Sequence, residues 1–363
     1  IGRIELVGGM WVEPATNTPG EESLVRQCLY GQNFYMKEFN HRVHNLWLPD
    51  VFGYTGALPQ IIKKSDMDSF LTIKLSWSLI NKFPYHNFLW EGIDNSKVFV
   101  HLPPEGTYNS GITPISLQNV QENITESNIN KSLVLYGIGD GGGGPGEEHI
   151  ERIHREKNLY SLPRVKTNRV DNFFDYLKKQ ELNTYHGELY LENHQGTYTS
   201  QSKNKCWNNF IESKLKVVEI LLVNNNINTN ILEDYWKEVL LYQFHDILPG
   251  SSIKRVYDES LKKYENINNE LDNILKNISP YIHHQYHEGD YILNTSKDYI
   301  HRTIKDNDKY YLLKIAPFSS KIINKQENIN YNILTNNDIL KTKDLKIKLS
   351  PNGYFSTIIL GNK

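Results

Sequence analysis

Apolar positions in the first part of the chain, from Ile1 to about Tyr160, fall into short runs set between stretches of helical spacing. Arg3–Val7, Asn45–Leu48, Phe70–Leu75, Asn87–Trp90, Lys97–Leu102 and Ser132–Tyr136 read as strands, mostly buried ones. Glu21–Phe39 reads as a helix, opened by Pro19, Gly20 and two acids in its first turn. Gly56–Lys64 and Pro145–Lys157 read as shorter helices. Such alternation predicts an α/β domain with a mostly parallel sheet.

A last strand-like run, Glu188–Leu191, closes this pattern. From about Thr199 to Ser279 the spacing predicts three long helices and no strand, a small bundle. In the first, Cys206–Val223, one face carries Trp207, Phe210, Ile211, Leu215, Val218 and Leu222. The second, Ile231–His245, follows Thr229 and Asn230 as caps and stops at Pro249-Gly250. The third, Ile253–Asn277, is long and amphipathic. After about Gln285 short β-like runs such as Tyr310–Ile315 and Leu345–Leu349 begin a β-rich region. The domain reading is therefore 1–198, 199–284 and 285–363.

Composition narrows the function classes. The chain has 363 residues, 39% hydrophobic, with a formal net charge of -2, so core-forming material is ample and no basic stripe points to nucleic acid. Cys28 and Cys206 are the two cysteines and cannot build a disulfide framework. No apolar run is long enough to span a bilayer. Asn-rich tracts such as 328–337 read as low-complexity insertions. His283, His284 and His287 read as surface histidines near a helix that Pro280 disturbs, Cys28 as a packed thiol, and Trp207, Phe210 and Trp236 as core.

Chemistry concentrates in three fragments. In Leu46–Tyr54 an apolar run ends in Asp50, and catalytic groups of α/β proteins sit where strands end. Phe52 and Tyr54 beside it offer a flat wall for a sugar ring. The second fragment is the glycine run Gly139–Pro145 with Asp140, which lacks the Gly-Lys-Ser/Thr of a P-loop. The third is Gln243–Gly250, with His245-Asp246 near a helix end.

With Gly8–Glu13, Glu22–Gln32, Lys74–Trp77, Trp90–Asp94 and Gly187–Lys205 these fragments, in this order, resemble the glycoside hydrolase family 38 α-mannosidases, nearest the cytosolic/vacuolar branch. The resemblance runs over roughly Ile1–Tyr257. It implies an α/β, barrel-like catalytic domain, incomplete here, then a three-helix bundle and the start of a β-rich domain. It implies a retaining hydrolase acting on terminal α-linked mannose of oligosaccharides, with a bound zinc, cobalt being the alternative metal. By resemblance Asp50 is the nucleophile and a metal ligand, and His245 a second ligand. Asp140 is the acid/base candidate. Phe52 stacks on the sugar, Asp246 touches it or backs the metal, and Lys74 is a basic residue near the site. The family's remaining two ligands, a His-x-Asp pair, are expected upstream of Ile1, so this chain alone is expected to bind metal weakly and hydrolyse little. The branch implies a cytoplasmic or vacuolar protein, and a homo-oligomer is compatible with it. Two other readings remain: an inactive truncated relative that only binds mannose or a partner, and a nucleotide-binding α/β protein using the glycine run.

Overall fold

A computed structural model describes residues 4–140, 142–285, 291–294, 296, 298–306, 309–322, 334–336, 339–341, 345–349 and 355–361. The chain forms two compact units, one of Ile1–Glu219 with Asn228–Ile274, the other of Ile220–Ile227 with Leu275–Lys363.

The first unit is built on a five-stranded sheet. Its strands are β1 (Asn45–Trp47), β2 (Ser69–Leu71), β3 (Asn87–Glu91), β4 (Lys97–His101) and β5 (Thr184–His186), in the order β1-β2-β4-β3-β5. Three pairings are parallel and one, β3 with β4, is antiparallel. This is an α/β domain with a mostly parallel sheet, and among the described residues it does not close into a barrel. Three expected strands are absent among the described residues. Ser132–Tyr136 contributes only a bridge from Tyr136 to Ser110, and Glu188–Leu191 only a bridge from Leu189 to Tyr54. Ile4–Val7 is not strand either, and the parallel contact at this edge is a single Gly8–Leu46 bridge.

Helix α1 (Glu21–Phe39) has the predicted bounds because both ends are marked. Glu21 and Glu22 complement the dipole at its start, and Asn40 adopts a left-handed conformation that turns its N–H back to Met36 O. Its buried stripe, Leu24, Gln27, Cys28, Gly31 and Gln32, includes two glutamines. At Gly31 a Cβ would lie 2.4 Å from the Met10 carbonyl carbon, so the glycine lets the segment after Met10 run against the helix backbone. The other helices of the α/β part are α2 (Leu58–Lys64), α3 (Pro114–Asn123), α4 (Glu147–Arg155) and α5 (Val170–Leu177).

Three further helices follow, α6 (Ser202–Asn224), α7 (Glu233–Tyr242) and α8 (Lys254–Gln285). They pack through contacts such as the Tyr242–Tyr264 ring pair and the Lys214–Asp272 ion pair. Arg26 on α1 also pairs with Glu219 on α6 at 2.6 Å, which ties helix to α/β part within the unit. The expected apolar face of α6 is corrected in one respect. Phe210 is half exposed, and the polar Asn204, Asn208 and Glu212 are buried beside Ile211, Leu215 and Val218. Trp236 and Cys28 are buried as expected. Helix α8 runs through Pro280 without ending there. His287 and most of the 328–337 tract lie outside the described residues. No helix among the described residues is long and apolar enough to cross a membrane.

The second unit is rich in antiparallel β-structure. Strands β6 (Tyr291–Asn294) and β9 (Ser319–Ile322) pair, as do β7 (Ile300–Asp306) and β8 (Lys309–Ile315). Strands β10 (Leu334–Asn336), β11 (Ile339–Lys341), β12 (Leu345–Leu349) and β13 (Phe355–Leu360) form a four-stranded sheet in sequence order.

Candidate active site

The site begins where β1 ends. Leu48 still bonds Leu71 O, and then Pro49 breaks the ladder. The Pro49 carbonyl accepts the N–H groups of Ile73 and Lys74, at 3.1 and 3.2 Å, so the exits of β1 and β2 are clamped together. This clamp brings Lys74 to Asp50: Nζ lies 2.5 Å from Oδ1. The same Nζ sits 3.8 Å from the centroid of the Trp77 ring, and the Lys74 side chain is only 6% exposed.

On its other oxygen Asp50 meets His245, with Nε2 3.4 Å from Oδ2. Burial raises the Asp50 carboxyl, but hydrogen bonds from His245 and Lys74 outweigh it and hold the group below its ordinary range. His245 is shifted the opposite way. Burial lowers it, and Asp50, Glu13 and Asp246 together raise it. The His245 ring is fixed from behind, because Nδ1 lies 3.1 Å from Glu13 O and donates to it. That bond leaves Nε2 as the nitrogen facing the carboxylates.

Asp246 Oδ2 is 3.7 Å from His245 Nε2, and one ligand atom each of Asp50, His245 and Asp246 falls within 4.8 Å of the others. Two atoms bound to one tetrahedral zinc lie ~3.3 Å apart at ordinary bond lengths. The 3.4 Å between Asp50 Oδ2 and His245 Nε2 matches that spacing. The donor set, two carboxylates and an imidazole whose other nitrogen is hydrogen-bonded, suits such an ion.

Phe52 is packed edge-on to His245 and 4.7 Å from the His194 ring. Tyr54 does not line the site, contrary to the sequence expectation. It is fully buried, its hydroxyl donates to Leu48 O at 2.7 Å and meets Thr72, and its ring packs on Phe70. Two residues on from Phe52, past Gly53 at φ +103°, the chain has turned inward. Tyr54 braces the loop from below instead.

Asp140 is exposed and stands in the glycine loop, which folds on itself through an Ile138–Gly143 bridge. Its partner is Tyr108, whose hydroxyl donates to Asp140 Oδ1 at 3.0 Å. Burial first, then Asp50 and Asp140, pushes this phenol well above its ordinary range. Tyr108 thus bonds one carboxylate and feels the charge of the other, a role no local motif signalled. The glycines of the loop serve this contact: a Cβ on Gly139 would lie 2.5 Å from the Tyr108 ring. Glu13 and His194 are further members that pattern reading missed. Burial, opposed by His245, pushes the Glu13 carboxyl up to about 7, and burial followed by the Lys74 charge lowers His194.

Asp50, His245 and Asp246 thus gather at the end of β1, with Phe52 packed beside the imidazole. Residues 1–200 match the family described as glycosyl hydrolases family 38, N-terminal domain, and residues 192–282 match the alpha mannosidase middle domain. The chain belongs to glycosyl hydrolase family 38. It is 42% identical over 288 residues to alpha-mannosidase G of Dictyostelium discoideum, covering 76% of this chain and 26% of that protein. To human alpha-mannosidase 2C1 it is 41% identical over 284 residues, with 76% and 27% covered. The chain therefore spans about a quarter of the length of these relatives. Its fold is that of an alpha-mannosidase from Enterococcus faecalis V583, with a TM-score of 0.71 at 17% identity, over 97% of this chain and 51% of that one.

Proposed function

We propose that the full-length protein is a retaining α-mannosidase acting on mannose-bearing oligosaccharides. The observation that carries this reading is the environment of Asp50: a carboxylate at a strand end, held ionised by Lys74 and His245, its charge also felt by Tyr108, which donates to a second carboxyl group, Asp140. Asp50 attacks the anomeric carbon and forms the covalent glycosyl-enzyme. Asp140 protonates the departing oxygen and then takes a proton from water. Phe52 stacks against the sugar, and Asp246 receives its hydroxyls.

Asp50 Oδ2 and His245 Nε2, with Asp246 nearby, would hold zinc or, in its place, cobalt. A cation there would anchor sugar hydroxyls and offset negative charge beside Asp50. The resemblance to the cytosolic and vacuolar branch supports residence in one of those compartments.

The test is release of p-nitrophenol from the aryl α-mannoside by the full-length protein and by its Asp50→Asn variant. Turnover by the parent and none by the variant is the expected result. Full turnover by Asp50→Asn would remove Asp50 as nucleophile. Mannose binding without turnover in either would favour a binding-only relative.

A further inference from the structure

His245 rides on a segment with little regular structure of its own, the turn that follows α7. Its position is set by a chain of buried polar side chains that begins one helix away. On α6, Glu212 is 4% exposed and accepts Gly20 N–H at 3.1 Å, the Ser23 hydroxyl, and Gln243 Nε2 at 2.9 Å. Gln243 Nε2 also donates to Asn208 Oδ1 at 3.2 Å. Gln243 Oε1 accepts from Gln27 Nε2 at 3.3 Å, and Gln27 Nε2 donates again to Leu240 O at 2.9 Å. Gln27 Oε1 accepts Val12 N–H, and its carbonyl accepts Trp11 N–H.

Each donor in this chain points at an acceptor, so both glutamine amides have one orientation only. The consequence falls on two backbone segments. Trp11–Ala15 hangs on Gln27 at one end and on Gln243 at the other, where Ala15 N–H donates to Gln243 O at 2.8 Å. Midway between them, Glu13 O accepts both the amide and the Nδ1–H of His245, at 2.9 and 3.1 Å. Sliding one segment against the other would turn the imidazole or break its Nδ1 bond.

We infer that Glu212, Gln243 and Gln27 are positioning residues for the His245 imidazole, acting through the Glu13 carbonyl. The inference rests on the reading of His245 as a metal ligand. Packing alone does not account for the network. Gln27 and Gln243 are fully buried, and every hydrogen-bond donor to Glu212 is neutral. A buried carboxylate is costly, and apolar side chains of similar volume would fill the space at less cost. What apolar side chains cannot supply is direction.

The experiment measures zinc affinity by chelator competition and the visible spectrum with cobalt(II), on the full-length protein without substrate. Glu212→Gln puts an N–H where an acceptor is needed and weakens binding ~10-fold, the lower end for outer partners of a ligand. Gln243→Glu sets a second carboxylate against Glu212 and weakens it by up to ~100-fold. Both shift the cobalt bands. Leu215→Ala, a buried apolar change on the same helix, lowers stability and leaves affinity and bands alone. Affinities of both network variants within twofold of the parent, with unaltered bands, would overturn the inference, and so would an equal loss in Leu215→Ala. If Gln243→Glu does not fold, Ser23→Ala, which removes one donor from Glu212, takes its place beside Glu212→Gln. His245→Ala separates the two layers: unchanged affinity there refutes the ligand reading itself, whatever the network does.

Discussion

Asp50 and Asp140 both raise the Tyr108 phenol, yet they are held in opposite ways. Around Asp50 every neighbour is braced: Lys74 by the clamp on Pro49, His245 by the Glu13 carbonyl, the loop beneath by Tyr54. Asp140 sits exposed on glycines, two of which, Gly142 and Gly144, have no atom within 4 Å of where a Cβ would be. The contrast fits the tasks assigned to them. A nucleophile that must stay ionised and in line gains from rigid partners. A group that gives up a proton and later takes one back needs access to the leaving group and to water.

The largest test of this contrast compares Asp50→Asn with Asp140→Asn across aryl α-mannosides of differing leaving-group acidity. Asp50→Asn loses on the order of 10⁴-fold in turnover for all of them, because the nucleophile serves every substrate. Asp140→Asn loses ~10²–10⁴-fold on a poorly leaving alcohol and much less on an acidic phenol that needs no protonation. Equal losses in both variants, whatever the leaving group, would end the division of roles.

A second test probes the braced side through stability. His101, fully buried at the end of β4, has Nδ1 2.8 Å from Asn87 Oδ1, and Nε2 accepts Leu133 N–H at 3.2 Å. A proton on Nε2 would oppose that N–H, and burial pushes the imidazole down to about 3 from its ordinary 6.5. The folded state thus binds the proton less readily than the unfolded one. The stabilisation is complete above pH 6.5 and is lost as pH falls toward 3, by ~3 kcal/mol between pH 7 and 4. Urea unfolding over that interval should show a steeper acid loss in the parent than in His101→Gln. Parallel slopes would exclude His101 as the source.

The smallest effect belongs to the residue between the two sides. Tyr108→Phe removes one hydrogen bond from Asp140 and should cost ~10-fold in kcat with KM little changed. Its pH–rate profile should move on the limb that reports the acid. A tenfold loss with an unmoved profile would make Tyr108 a packing residue.

Much of this was legible in the chain. The helix Glu21–Phe39 carried both of its end signals, and Asp50 stood where an apolar run met a proline. Lys74 and His245 were readable because they lay in fragments matching a known family. What hid was whatever broke the rule that polar residues face water. Glu212 and Asn208 take the buried face of α6 that the spacing assigned to Trp207 and Phe210. Tyr54 looked like a partner of Phe52, but which way a side chain points past Gly53 is a matter of φ, not of residue type. Tyr108 lies 32 residues from Asp140, and no periodicity relates two loop positions. The strand expected at Ser132–Tyr136 had the right composition, but only Tyr136 found a pairing partner.

One feature of the His245 bond reaches into biosynthesis. Its acceptor, the Glu13 carbonyl, lies 232 residues earlier in the chain. A ribosome must finish the sheet, α6 and α7 before the imidazole can reach the strand end it serves. Until then the emerging polypeptide holds Asp50 and Lys74 without their third partner. Completion of α7 and the turn after it is the moment at which the nascent protein first brings the imidazole to Asp50.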